Sequence, residues 1–446
     1  MYYIIGESVE QASQAPIYPR LALGLLYCLI LVFIYPFNSI ISETDPSIPL
    51  ALQTENKTVY YIRYVVPMLC VVIAALCGKS NFLRHLSPAL LLYCALSFLS
   101  IAWSEDPYVS LISALRLSEY VIAIVALCEV LRLEILCRAF LNIIAFITLS
   151  SVAMAIFAPG YGTHQTNDVV QSVHAGLWRG AFGHKNELGA MASISAIAYL
   201  CFGYLGSSVL GFRSIVVIAS LTCLIFAGSA GALVSLVIVL MIYLLIFLTW
   251  RWPTAFSWLF VLIVIAALAG ALVATEVNTY ALVGRDATLT GRTAMWPVVL
   301  AMIADSPLLG HGYYAGSSAF ASPRLSEYFG QIATHAHNGY LSILLDTGII
   351  GLSLYLYAIL SVIFMGTAQA KREERVRRNC FMLLLLTPIL SLVYAFFEVL
   401  PIIDNRCVGA LNFFSLVATY SYLKQSVNTT EVAQERDAGR NIGVLV

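Results

Sequence analysis

The sequence predicts an all-α polytopic membrane protein with about twelve transmembrane helices, and three observations predict it. Of the 446 residues, 60% are hydrophobic and only 11% charged, which leaves too little polar surface for a water-soluble fold. The apolar runs are about 20 residues long, the length that crosses a hydrocarbon core about 30 Å thick. Basic residues collect in alternate connections, as the positive-inside bias requires.

In chain order, residues 1–19 form a polar cytoplasmic segment with no apolar core, so the first span is expected to act as an uncleaved insertion signal. Spans are expected at about 20–41, 59–78, 88–104, 108–130, 135–157, 187–208, 214–228, 231–249, 254–275, 339–365, 380–399 and 408–424. Together they make a transmembrane domain over 20–424, followed by a polar cytoplasmic tail over 425–446. Orientation comes from charge. The stretch Lys371-Arg372-Glu373-Glu374-Arg375-Val376-Arg377-Arg378 carries five cations in one short connection, which places it inside. Counting outward puts both termini inside, with Lys79, Arg84, Arg132, Arg213 and Arg251 in the other inner connections.

Several function classes drop out. The 24 basic and 24 acidic residues balance with no basic stripe, so nucleic acid is not an expected partner. The ten cysteines are scattered through apolar runs, with no CxxC pair and no Cys/His spacing suited to zinc. Neither a cofactor nor a metal is expected.

Most outer connections are short, but two are long, 159–186 and 276–338. Loops of this length in a compact assembly are functional or disordered. The second is rich in aromatics and has a helical pattern from Thr293 to Ala304, so it should form a small cap on the membrane with one amphipathic helix. Both loops carry arginines (Arg179, Arg285, Arg292 and Arg324) on the face that disfavours topological cations. Cations kept there suit an anionic ligand such as a lipid diphosphate.

The first loop ends Arg179-Gly-Ala-Phe-Gly-His-Lys-Asn-Glu187. Two glycines allow close backbone approach, a helix N-terminus follows, and Arg179, His184 and Lys185 add donors for a phosphate. The alternative is that Asn186 caps the helix while Lys185 sits at headgroup level. The second loop reads Gly284-Arg285-Asp286-Ala-Thr-Leu-Thr-Gly291-Arg292-Thr293, two guanidiniums flanking a Thr/Gly stretch before a helix start. Arginine is suited to bidentate phosphate contacts, although Arg285 could instead pair with Asp286 or a lipid. Its end, His335-Ala-His337-Asn338, places Asn338 as a helix cap and His337 at the membrane surface, where an imidazole can take a hydroxyl proton. Asp346 falls inside an apolar span, a position that marks either function or a bond to a neighbouring helix. Arg116 and Glu119, three residues apart in the fourth span, read as a structural pair.

At these residues the chain resembles the O-antigen ligase and polysaccharide polymerase superfamily of bacterial membrane proteins. Arg179-Gly-Ala-Phe-Gly-His-Lys-Asn186 resembles its first external motif. Gly291-Arg292-Thr293-Ala-Met-Trp296, with Asp305-Ser-Pro-Leu-Leu-Gly-His-Gly312, resembles its second. His337-Asn338, nine residues, then Gly348 fits its His-[Asn/Ser/Gln]-x9-Gly pattern, and Arg285-x3-Leu289 its Arg-x3-Leu element.

The resemblance implies a lipid-donor (GT-C-like) glycosyltransferase of the bacterial inner membrane. Its donor would be a glycan on undecaprenyl diphosphate and its acceptor a sugar hydroxyl at the periplasmic face, with a flippase and a chain-length regulator as partners. Arg179, Arg292 and Arg285 would bind the diphosphate, and His337 would activate the acceptor, without a metal and with inversion. His184, Lys185, Asn338 and Asp346 would support the site. His335 lies outside the pattern and is expected to tolerate Ala or Gln. The Arg285/Arg292 doublet looks most like exopolysaccharide polymerases. A ligase that joins the glycan to lipid A core stays open, and a polysaccharide transporter is the reading from another class.

Overall fold

The computed structural model describes residues 17–37, 57–79, 82–166, 168, 172–207, 209–274, 292–329, 335–399 and 407–442. Among these the chain is helical apart from connections and one isolated bridge, Thr163 to Trp178. Every predicted span holds a helix. They are α1 (Ile17–Ile34), α2 (Lys57–Leu76), α3 (Pro88–Leu99), α4 (Pro107–Val130), α5 (Leu133–Phe157), α6 (Lys185–Phe202), α7 (Leu210–Ala227), α8 (Ala230–Leu248) and α9 (Thr254–Ala274). The second long loop adds α10 (Arg292–Asp305) and α11 (Ser322–Phe329). The chain closes with α12 (Gly339–Arg372), α13 (Arg375–Tyr394) and α14 (Cys407–Ile442). Among the described residues, eight helices are long and apolar enough to cross a membrane, and shorter apolar helices stand at Tyr61–Leu76, Pro88–Trp103, Thr254–Leu268 and Met295–Asp305. The protein is an all-α polytopic membrane protein.

Local chemistry sets the helix ends. Asp106 caps α4 by accepting from Val109 N at 3.0 Å, with Pro107 in the first turn, where its missing N–H costs nothing. α7 stops at Gly228, whose φ of 56° suits a residue without Cβ. Several ends differ from the sequence reading, among them those of α13 and α14. α13 ends at Tyr394, although its apolar run continues to 399, and α14 continues to Ile442 past the apolar run.

α13 is buried on nearly all sides, with Phe381, Leu383, Leu384, Leu385 and Leu386 inaccessible, so it forms the centre of the bundle. Phe140 of α5 stacks on Phe414 of α14 at 5.7 Å beside it. Buried hydroxyls bond within the bundle, as hydrocarbon demands: Thr387 donates to Leu411 O at 3.1 Å and Tyr120 to Ala410 O at 3.1 Å. On α7 and α8 the outer faces keep Ile225 and Phe247 each 73% exposed, the apolar surface a bilayer would cover.

α12 is broken. Gly348 has φ 63° and ψ −165°, nine residues, or about 14 Å, from the helix start. The freed backbone groups bond to the segment that leaves α10. Ile349 N reaches Pro307 O at 2.9 Å, His311 N reaches Leu345 O at 2.7 Å, and Gly312 N reaches Asp346 O at 3.0 Å. A Cβ on Gly348 would sit 2.3 Å from the Leu308 backbone, so both its φ and the close approach exclude a side chain. From the other side, Trp103 Nε1 bonds Leu309 O at 3.3 Å and Ser100 Oγ accepts from Tyr313 N at 2.9 Å.

The second loop therefore does more than lie on the membrane, as the sequence suggested: residues 305–313 are threaded between the α3–α4 turn and the break in α12. The described part of the remainder forms a small folded unit. Val299, Met302 and Ile303 of α10 pack with Phe320, Leu325, Ala336 and Leu345 as a core of their own. The expected helix over Thr293 to Ala304 is present, but it is not amphipathic: it buries Val299 and Ile303, yet its exposed side also carries an apolar residue, Leu300, 52% exposed. The amphipathic helix is α11, which buries Leu325 and exposes Tyr328.

Candidate active site

Asn186 of the first motif and the His335–His337 segment meet at one end of the bundle, and the residue that connects them is one the sequence reading missed. Glu398 lies just beyond the end of α13 and is 3% exposed. Its Oε1 is 2.9 Å from His335 Nε2 and 3.1 Å from His337 Nδ1. Its Oε2 accepts from Asn186 Nδ2 at 2.8 Å. Burial pushes the Glu398 carboxyl up, but the adjacent His337 and His335 outweigh it and hold the group well below the ordinary carboxylate range. It is a carboxylate. A signal was available, because an ionisable residue within the predicted span 380–399 meets the criterion that drew attention to Asp346.

Asn186 ties the first motif to this carboxylate. Its Oδ1 accepts from Ser229 Oγ at 3.1 Å and its main-chain carbonyl from Tyr394 Oη at 2.9 Å, so the residue is fixed from the start of α8 and the end of α13. Asn186 was expected to cap α6, but His184 does so instead, its Nδ1 accepting from Asn186 N at 3.1 Å. The second motif reaches the same place through Trp296, whose Nε1 donates to Ala336 O at 3.2 Å, between the two histidines. Asn338 does cap α12, its Oδ1 accepting from Tyr340 N and Leu341 N at 3.0 and 3.1 Å. Three segments distant in sequence thus converge on His335-Ala336-His337.

His337 has φ 50°, a left-handed conformation that costs a residue with a Cβ about 1–2 kcal/mol. The surrounding bonds hold it there, and its side chain stays 27% exposed against 3% for Glu398. A carboxylate only accepts hydrogen bonds, so a neutral His337 facing it carries its proton on Nδ1. Nε2 then has a lone pair. His335 shares the same carboxylate oxygen, with its ring centroid 4.1 Å from that of His337. The expectation that His335 stands outside the site and tolerates substitution therefore loses its basis.

The other candidates separate. Arg179 Nε donates to Tyr161 O at 2.9 Å and Nη2 to Gly160 O at 3.3 Å, while Nη1 lies 3.7 Å from Asp168. These bonds fold the first loop onto itself, and burial lowers the guanidinium below its ordinary pKa, with Asp168 opposing the shift. Lys185 is 3% exposed, with Nζ 3.4 Å from Gly228 O, so it is not at headgroup level. His184 packs in a three-ring cluster with His164 and His174 at 5.5 Å each. Asp346 accepts from Ser317 N at 2.7 Å and so secures the turn Gly316–Ala321, which follows the threaded segment, beside the α12 break. Arg324 lies over the Phe320 ring at 3.9 Å and donates to Phe320 O at 2.8 Å. Arg292 is the first residue of α10, one turn before Trp296; its side chain, and all of Arg285, lie outside the described residues.

Comparisons with known proteins support an O-antigen ligase/polymerase-like family. Residues 215–356 match a family model described as O-antigen ligase. The chain is 26% identical over 298 residues to the exopolysaccharide production protein ExoQ of Rhizobium meliloti (strain 1021). That alignment covers 62% of this chain and 64% of the relative, slightly under two thirds of the relative's length.

Proposed function

From the chain's place among O-antigen ligase/polymerase-like membrane proteins, we propose that it is a glycosyltransferase that polymerises lipid-linked repeat units of an exopolysaccharide or O-antigen. The observation that carries this reading is His337, partly exposed, paired through Nδ1 with a buried carboxylate, in the segment where the three motifs meet. In the reaction, Nε2 of His337 takes the proton of the acceptor hydroxyl as its oxygen attacks the anomeric carbon. The bond from that carbon to the diphosphate oxygen breaks, and undecaprenyl diphosphate leaves with the electron pair. Glu398 stabilises the imidazolium that forms. A single displacement inverts the anomeric centre. The leaving group is already an anion of low basicity, so Arg292 and Arg285, with Arg179, stabilise its charge in place of a divalent ion.

We place this end of the bundle at the periplasmic face of an inner membrane, on the strength of the five cations at the opposite end of α12 and α13. In a cysteine-accessibility scan, Tyr328→Cys should label from outside and Val376→Cys from inside, both positions being well exposed. Labelling of both from one side would overturn the orientation. The function is tested in a deletion strain. Accumulated single lipid-linked repeats support a polymerase, whereas accumulated long lipid-linked chains would make the protein a ligase. The break in α12 is the observation that favours a transporter, but the threaded segment satisfies its backbone groups, which in transporters coordinate the cargo.

A further inference from the structure

We infer that His335, His337 and Glu398 form a binding site for a divalent transition-metal ion of the zinc class, and that an ion held there switches the transferase off. The switching half rests on the proposed role of His337; the binding half does not.

The donor set and its spacing point to such an ion. One nitrogen from each imidazole and one oxygen of Glu398 all lie within 4.8 Å of one another. The two N···O separations are 2.9 and 3.1 Å. Ligands at about 2.0–2.1 Å from one ion stand roughly 2.9 Å apart in octahedral and 3.4 Å in tetrahedral geometry. The cluster is already close to that spacing. Two imidazoles with one carboxylate suit zinc and its neighbours, whereas magnesium and calcium prefer all-oxygen sets.

The support around the ligands is of the kind metal sites use. Glu398 is buried and held through its second oxygen by Asn186, itself fixed by Ser229 and Tyr394. His335 and His337 are two residues apart, and their rings lie together over the same carboxylate. Their side chains are 14% and 27% exposed, so an ion has a way in past the rings to a buried anchor.

The consequence for catalysis follows from the tautomer. An ion bound at His337 Nδ1 displaces the proton that Nδ1 otherwise donates to Glu398. The neutral ring then carries its proton on Nε2, which turns the acceptor of the substrate proton into a donor. A metal on the far side of the ring removes the base without touching the sugar site.

The test uses the purified full chain in lipid nanodiscs, stripped with a chelator, with Co2+ followed by its visible absorption and Zn2+ by calorimetry. One ion should bind per chain. His335→Ala, His337→Ala and Glu398→Gln should each weaken binding at least about tenfold, with thermal unfolding confirming that each variant is folded. Wild-type binding no tighter than that of a folded His335→Ala/His337→Ala double variant would overturn the site. In transfer assays, Zn2+ should inhibit the wild type and chelator should restore it. If the stripped protein is instead inactive and Zn2+ restores it, the binding site stands, while the switch and the metal-free account both fall. If Zn2+ binds and transfer is unchanged, the site again stands and His337 is not the base. If transfer proceeds and no ion binds, only this inference fails.

Discussion

Two histidine–carboxylate clusters lie at the same end of this molecule, and they differ in what their rings have left to give. In the first loop, His164 Nδ1 faces Asp168 at 3.4 Å while Nε2 accepts from Lys185 N at 3.2 Å, and the ring is 1% exposed. Both nitrogens are committed. In the second cluster Glu398 engages one edge of His337, whose side chain keeps 27% of its surface open. Residue types do not separate the two. Exposure and an uncommitted lone pair do. The same contrast divides the arginines: Arg179 bonds within its own loop, whereas Arg292 stands at the first turn of the helix whose Trp296 reaches the histidine segment.

The comparison breaks most directly at the two histidines. His337→Ala should reduce transfer at least about 100-fold while donor binding is kept. His164→Ala should act mainly by lowering the melting temperature. Equal loss of turnover in both, with both melting like wild type, would erase the distinction. Next come the arginines. Arg292→Ala should cost about 100-fold in transfer with unchanged thermal stability, and Arg292→Lys should rescue little, since an ammonium lacks the bidentate fork. Arg179→Ala should lower the melting temperature as well, because its removal frees two loop carbonyls and Asp168. Glu398→Gln should cost about 10- to 100-fold, with donor affinity preserved and the pH–rate profile shifted, an effect a purely structural residue would not produce.

A smaller effect sharpens the contrast through pH. Burial first, then the Arg179 guanidinium, lowers His164 from 6.5 to about 4. The unfolded chain binds this proton more readily than the folded one, so His164 makes stability fall as pH drops from 6.5 toward 4. His164→Gln should flatten the melting temperature across that window; an unchanged slope would place the acid sensitivity elsewhere. Smallest is Trp296→Phe, which removes one hydrogen bond to Ala336 O and should cost about 1 kcal/mol of stability. Its effect on transfer should be a few-fold, since only the link between α10 and the histidine segment is loosened.

Much of the fold was legible in the sequence because membrane spans are written locally. Twelve apolar runs gave twelve helices, and Asn338 declared itself as a cap by its position before an apolar run. Gly348 was legible only as part of a pattern, and its reason is tertiary: the Leu308 backbone occupies the space where a Cβ would be. Asn186 looked like a helix cap, yet His184 caps α6 and the Asn186 amide reaches a carboxylate 212 residues away. The amphipathic helix was sought in α10 and found in α11, because the exposed side of α10 is itself apolar, with Leu300 52% exposed.

By itself the sequence determined the class of protein, the placement of its helices and which loop segments hold the candidate site residues, since hydrophobicity, charge bias and motif order act over short stretches of chain. Only the tertiary structure decided which polar groups meet. In the sequence Glu398 shows only as an ionisable residue at the end of an apolar run, and nothing local names its partners. It acquires a role when the bundle buries it between Asn186 and two histidines, where little water competes and a hydrogen bond fixes a tautomer. The same burial that makes Glu398 costly without partners is what lets it orient His337.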